Sequence, residues 1–163
     1  MENNITVVGI DPGLVHTGVV KLSFDSVNKQ VTTQFWVVDG IDPLVTMDYV
    51  YTSPKPNKIF IEKYEPRSNF ETDQNMVTGV AELKATMPLA TLMSNAGAKV
   101  LVKPTVMKLL KVWTFDQSTH HDDLRSAARI LIFGMMRDKN LNPILASFVK
   151  DHLDNVEWTV NVV

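Results

Sequence analysis

The chain contains no cysteine, so it has neither a disulfide framework nor a thiolate metal site, and any metal it binds must sit on oxygen or imidazole. This suits a reducing compartment, and a cytoplasmic setting is expected. No apolar run approaches the roughly 20 residues needed to cross a bilayer, so no membrane partner is expected. The first residues, Met1-Glu2-Asn3-Asn4, are not a basic segment leading into an apolar one, and an unprocessed start is expected. Positive charge is also scarce: 16 Lys and Arg against 18 Asp and Glu leave a net −2 at pH 7. Whole-molecule attraction to nucleic acid is therefore excluded, and any such binding must come from local charge distribution. The sequence has no Gly-x-x-x-x-Gly-Lys-Ser/Thr phosphate loop, no His-Glu-x-x-His helix and no thiol nucleophile, which removes three common chemistries.

What is present is enough for a continuous core. At 163 residues and 45% hydrophobic, the chain is expected to form one domain over 1–163 without help from metal or disulfide. Ile5 to Ile10 is a short apolar run stopped by Asp11-Pro12-Gly13, a strong turn signal that places Asp11 at a strand tip. Thr17 to Phe24 and Val31 to Val38 are β-rich, and the three runs predict an antiparallel meander. Ser53-Pro54-Lys55-Pro56-Asn57 predicts a loop, because proline lacks the amide proton and biases its predecessor away from helix. Lys58-Ile59-Phe60-Ile61 then predicts a buried strand that ends at Glu62.

Met76, Val80, Leu83 and Met87 recur at helical spacing and predict a helix reaching about Asn95, with a kink or break at Pro88. Lys99 to Val102 predicts a strand, Thr105 to Val112 a short basic helix, and Leu124, Ala127, Ala128, Leu131 and Met135 one stripe of a further helix. Beyond Asn140 a helix near Ile144 to Leu153 and a β-rich end are expected. This order predicts an α/β or α+β sheet, with a meander on one side and helical crossovers on the other.

Two apolar strands thus finish at acids, Asp11 and Glu62, and a third acidic group opens a helix at His120-His121-Asp122-Asp123. If the first and fourth strands are sheet neighbours, their carboxylates converge. A single acid at a strand end is usually just exposed, and acids at a helix start usually serve the helix dipole. Asp11 and Glu62 both follow runs with no other charge on the buried side, where an unpaired carboxylate is costly. Carboxylates gathered there need a cation, and hard oxygen ligands select magnesium or manganese. Two such ions about 4 Å apart activate a water and stabilise the leaving oxygen in phosphodiester hydrolysis without a protein nucleophile.

Val8-Gly9-Ile10-Asp11-Pro12-Gly13 followed by Thr17-Gly18, then Ile59-Phe60-Ile61-Glu62, then Asp122-Asp123-Leu124-Arg125-Ser126-Ala127 resemble, in order and spacing, the motifs of RuvC-type Holliday junction resolvases. The resemblance covers roughly Ile5 to Phe133, leaving a C-terminal extension over 134–163. The minimal leader and small cysteine-free chain resemble the phage-encoded branch, whose setting would be the host cytoplasm. The resemblance implies an α/β ribonuclease H-like fold and a homodimer that binds four-way junctions. It also implies an endonuclease with two Mg²⁺ per site, Mn²⁺ able to substitute, that nicks opposing strands symmetrically. Asp11 and Glu62 fall on family carboxylates. For the helix carboxylate, alignment of Asp-x-Leu selects Asp122, whereas a helical wheel places Asp122 beside Arg125 and Arg129 on the polar face and Asp123 nearer the buried stripe; Asp122 is the first choice and Asp123 the second. The bacterial enzymes carry another acid or histidine three residues before the helix aspartate, where this chain has Thr119. Asp123, His120 or His121 can fill the gap, and His120 with Asp123 makes a His-x-x-Asp pair on one helix face.

DNA contacts are expected from basic residues that approach these acids. Four lysines, Lys99, Lys103, Lys108 and Lys111, stand between Lys99 and Phe115 with no acid among them. Such a run is often a plain solvated face. Lys103, Lys108 and Lys111 are the candidates for phosphate contact, with Arg67 beside the second motif. Phe70 lies where such resolvases place residues that insert at the junction, and an exposed aromatic there can stack on an unpaired base. Arg125 and Arg129 are expected on an ordinary exposed helix face. Two alternatives share the fold: a nuclease acting on RNA, like the RuvX-like relatives, and a DNA-binding protein that has lost a metal ligand.

Overall fold

The computed structural model describes residues 4–66, 71–116, 118–151 and 157–162. Six strands form one sheet in the order β5-β4-β1-β2-β3-β6. Strands β1 (Asn4–Asp11), β2 (His16–Asp25) and β3 (Gln30–Asp39) make the expected antiparallel meander. Strand β4 (Lys58–Glu62) joins the other edge of β1 in parallel, and β5 (Thr91–Met93) adds in parallel to β4. Strand β6 (Glu157–Val162) runs parallel to β3. Among the described residues no helix is long and apolar enough to cross a membrane.

Alternation along the strands divides the apolar residues into two layers. Val7, Val20, Leu22, Phe24, Phe35 and Phe60 face helix α5 (His121–Arg137), which returns Leu124, Ala127, Ala128 and Leu131. Val8, Ile10, Val19, Trp36, Val38, Ile59 and Ile61 face the opposite way, toward Val50 of α1 (Pro43–Val50) and Leu83 of α2 (Gln74–Thr86). Each Leu or Phe buried in this way contributes about 2 kcal/mol from apolar area alone.

Helix α5 lies unusually close to the sheet because glycines take its backbone. A Cβ on Gly9 would strike the Ala127 carbonyl oxygen and lie 2.7 Å from Leu131 Cβ, and one on Gly18 would lie 2.5 Å from the Asp123 carbonyl oxygen. In the other direction, Gly134 of α5 makes room for the Phe60 ring. The glycines of the first motif therefore let α5 settle on β1 and β2, with its first turn near the end of β1.

On the far face, Lys21 is completely buried in mid-β2, and its ammonium donates to the carbonyls of Thr52 and Pro54. This ties down the loop that leads into β4. Burial pushes the Lys21 pKa down to about 8.

Three expectations need correction. The helix expected to reach about Asn95 ends at Thr86, closed by the Met87 amide donating to the Leu83 carbonyl, and of the kink or break expected at Pro88 the chain makes the break. The chain then forms β5, and Lys99 to Val102, expected as a strand, belongs instead to helix α3 (Asn95–Leu101) and its cap. A β-branched pair in a short apolar stretch is ambiguous between strand and helix, and here Ala98 packs under α5. Helix α1 carried no sequence expectation at all; its start is set by Asp42, which accepts from the Val45 amide, with Pro43 in the first turn. The basic helix stands as α4 (Pro104–Leu109) and the C-terminal helix as α6 (Asn142–Asp151). The boundary expected at Phe133 falls inside α5.

Candidate active site

The β1–β4 register pairs Ile10 with Ile61, so the next residues along, Asp11 and Glu62, leave the two strands side by side. Alternation then fixes their direction. Gly9 and Phe60 both touch α5, and Asp11 and Glu62, two residues on, point to that same side of the sheet. The side chains of Asp11 and Glu62 face each other closely enough to interact. Burial first, then that contact and the charges of Glu62 and Asp123, push the Asp11 carboxyl up to about 9, while Arg129 acts in the opposite sense. Two acids held this close in a half-buried place favour a shared proton or a cation between them.

The turn after Asp11 is rigid for a reason visible in the motif. Thr17 is fully buried, and its hydroxyl donates to the Gly40 carbonyl at 2.7 Å and accepts from the Gly13 amide at 3.3 Å. Gly18 is the register partner of Asp11 and also carries the backbone of Asp123. The third acidic group is thus brought to Asp11 by contact through Gly18.

The two helix aspartates part company here. Asp122 is fully exposed and pairs with Arg125 at 3.7 Å, whereas Asp123 is half-buried and its charge acts on Asp11. His120, the residue before α5, directs Nδ1 to Asp123 Oδ2 at 3.5 Å. His121 is occupied elsewhere: its Nδ1 accepts the Phe115 amide at 3.1 Å. Among the described residues no three His, Asp or Glu side chains are gathered tightly enough to enclose an ion as they stand. Asp11 and Glu62 form the close pair, with Asp123 at electrostatic range.

Asp11 and Glu62 open into a cleft of about 340 Å³ lined also by Tyr64, Met76, Asn95 and Lys99. The lysine candidates lie along a different stretch of surface. Lys103 is exposed at the start of α4, and Lys108 and Lys111 border a hollow with Trp113. The Lys108 ammonium lies 5.3 Å from the Trp113 ring centre and the Arg125 guanidinium 4.0 Å, and Arg125 also donates to the Trp113 carbonyl. Arg125 is therefore fixed on an aromatic face rather than free on a helix surface, and it joins the lysines to the first turn of α5. Arg67 and Phe70 lie outside the described residues.

Three residues near the acids escaped the sequence reading. Lys99 was noted only as part of a basic run, and Arg129 as an exposed arginine. His16 was passed over, although alternation back from Gly18 places it on the α5 face, where its ring meets His120 at 4.3 Å.

No family model matches the chain, and no curated protein matches it in sequence. Solved structures do match in three dimensions. RuvC of Thermus thermophilus in complex with a Holliday junction substrate is 12% identical, with 90% of this chain and 94% of that one covered at a TM-score of 0.57. The yeast mitochondrial Holliday junction resolvase is 15% identical over 91% of this chain and 81% of that one, with a TM-score of 0.51. The fowlpox virus resolvase bound to Holliday junction DNA is 11% identical over 80% of this chain and 96% of that one, also at 0.51. With its meander, parallel flank and α5 laid across both, the chain has the ribonuclease H-like fold of these Holliday junction resolvases.

Proposed function

We propose that the chain is a divalent-metal-dependent endonuclease that resolves four-way DNA junctions. The observation that supports this most strongly is the convergence of Asp11, Glu62 and Asp123 on one side of the sheet, with Asp11 pushed far above the ordinary carboxylate range. That arrangement is unfavourable in a bare protein and is relieved by a hard cation. Asp11 and Glu62 would hold Mg²⁺ or Mn²⁺, with Asp123 drawn in from the α5 side and His120 beside it. When bound, a pair of such ions supplies an activated water and a stabilised leaving oxygen. The protein's part is to fix that geometry: the β1–β4 register aligns two carboxylates, and Gly18 sets the distance to the third.

The lysines fit the same reading. Lys103, Lys108 and Lys111, with Arg125 held on Trp113, offer positive charge to the phosphates of a junction arm on the α5 side. Arg67 and Phe70, outside the described residues, keep the roles expected of them, phosphate contact and stacking on an unpaired base at the junction.

Symmetric nicking needs two copies, and the face available to a second copy is apolar. Val77, Val80, Ala81 and Ala85 of α2 form a groove with Leu92 of the edge strand β5, and Val77 and Leu92 are 40% and 37% exposed. Lys63 and Tyr64 line both this groove and the catalytic cleft, so a partner seated here would stand next to the active site.

The decisive assay incubates the purified protein with labelled four-way junction, linear duplex and RNA–DNA hybrid in Mg²⁺, beside Asp11→Asn. Paired symmetric nicks in the junction alone, lost in the variant, are expected. Hybrid degradation would favour an RNA substrate, and junction binding without cleavage would favour a silent DNA-binding protein.

A further inference from the structure

Strand β2 opens with His16, a residue given no role above. It stands on the α5 face, and its ring packs edge-on against His120 with centroids 4.3 Å apart and planes at 63°. The two histidines differ in how firmly they are held. His16 is register partner of Asp39, and the residues on each side of it are tied: the Gly40 amide donates to the Val15 carbonyl at 2.7 Å, and the Thr17 hydroxyl donates to the Gly40 carbonyl at the same distance. His120 lies just outside α5 in a non-helical conformation and makes no side-chain capping bond. Its ring is oriented by two neighbours, Asp123 Oδ2 at 3.5 Å from Nδ1 and the ring of His16.

The contact between the rings is one of shape. Nδ1 of His16 is buried without a hydrogen bond, and Asp39, 3.7 Å away, is fully exposed. An edge-to-face pair fixes the plane of a ring that has little else to hold it. A histidine whose Nδ1 faces a carboxylate has its other nitrogen, Nε2, left to act on substrate or metal, and such orienting neighbours commonly govern activity by ~10–100-fold.

We propose that His16 is a positioning residue: its anchored ring holds His120 with Nδ1 toward Asp123, so that Nε2 is left to act on substrate or metal beside Asp123. The proposal rests on the reading of this site as a nuclease centre. It assigns the work to the flat ring of His16 and not to its nitrogens or to Asp39.

The test compares His16→Leu, His16→Phe and Asp39→Asn in the full chain. Imidazole nitrogen–proton correlation spectra at one pH, with the His120 signals assigned through His120→Ala, report the ring directly. His120 is expected to show one well-defined tautomer in the unsubstituted protein, in His16→Phe and in Asp39→Asn, and an averaged or broadened signal in His16→Leu. In junction nicking, His16→Leu should lose kcat by about 10–100-fold with KM unchanged, and His16→Phe should recover to within about threefold. Adding His16→Leu to His120→Ala should cost nothing further. Unchanged His120 signals in His16→Leu, equal loss in the Leu and Phe variants, or a full additional loss in the double variant would each overturn the proposal. If the unsubstituted protein nicks no junction, the nuclease reading fails instead, and the spectra still decide the place of His16.

Discussion

Gly18 lies beneath Asp123: a Cβ on Gly18 would come 2.5 Å from the Asp123 carbonyl oxygen. Because Gly18 is also the register partner of Asp11, this one close approach sets the gap between the strand-tip acid and the helix acid. Gly18→Ala should lift the first turn of α5. Overpacking of this kind costs about 1–3 kcal/mol. If the proposed function holds, displacing Asp123 by about 1 Å should lower kcat by about 100-fold while junction affinity stays near normal. Thermal melting and single-turnover nicking measure the two effects separately.

The two adjacent helix aspartates should behave very differently. Asp123→Asn is expected to reduce nicking by about a thousandfold, as loss of a group aimed at the reacting charge does. Asp122→Asn removes only an exposed partner of Arg125 and should stay within about threefold of the unsubstituted rate. Equal damage from both would mean that the orientation of the first turn in solution differs from the one described.

Asp11 gives a pH dependence of stability. Its carboxyl titrates near 9 in the folded chain against an ordinary 3.8, so between those values the folded state holds more protons than the unfolded one. Without metal, this group's contribution to stability is complete below pH 3.8 and is lost as pH rises through about 9. In a chelator, Asp11→Asn should therefore be more stable than the unsubstituted chain, by about 1–3 kcal/mol at pH 8, with the difference shrinking toward pH 5. Added Mg²⁺ should raise the melting temperature of the unsubstituted chain and leave that of Asp11→Asn nearly unmoved. Melting curves at several pH values decide it.

For the basic surface, the expected signature is in salt. Lys108→Ala and Lys111→Ala should each weaken junction binding irrespective of sequence and flatten the dependence of log affinity on log salt by about one unit. Cleavage rate at saturating junction should be unaffected. Fluorescence anisotropy titrations across a salt series give both quantities.

Much of this was legible in the sequence because local signals and global placement agree. The runs ending at Asp11 and Glu62 became neighbouring parallel strands, and the stripe from Leu124 to Met135 became the helix across them. Legibility ended where tertiary contact decides. Lys99 to Val102 has the composition of a strand, yet Ala98 and Gly97 give α5 its seat, Gly97 so closely that a Cβ would lie 2.8 Å from the Phe133 ring. Nothing in the pattern of β2 announces that Lys21 is a fully buried lysine satisfied by two loop carbonyls. The motif alignment favoured Asp122, but it is Asp123 whose charge acts on Asp11 while Asp122 is fully exposed, because a local motif or wheel gives relative angles and not which neighbour lies across from the helix. His16 was recoverable: once Gly18 is placed against α5, period-two alternation puts His16 on the same face.

The proposed activity requires a cation held jointly by Asp11, Glu62 and Asp123. Electron paramagnetic resonance titration of Mn²⁺ into the unsubstituted protein, Asp11→Asn, Glu62→Gln, Asp123→Asn and Asp122→Asn tests this without requiring any substrate. Saturable Mn²⁺ binding that weakens at least ~10-fold in the first three variants and persists in Asp122→Asn is the expected result. Binding in Asp11→Asn and Glu62→Gln as tight as in the unsubstituted chain would contradict it.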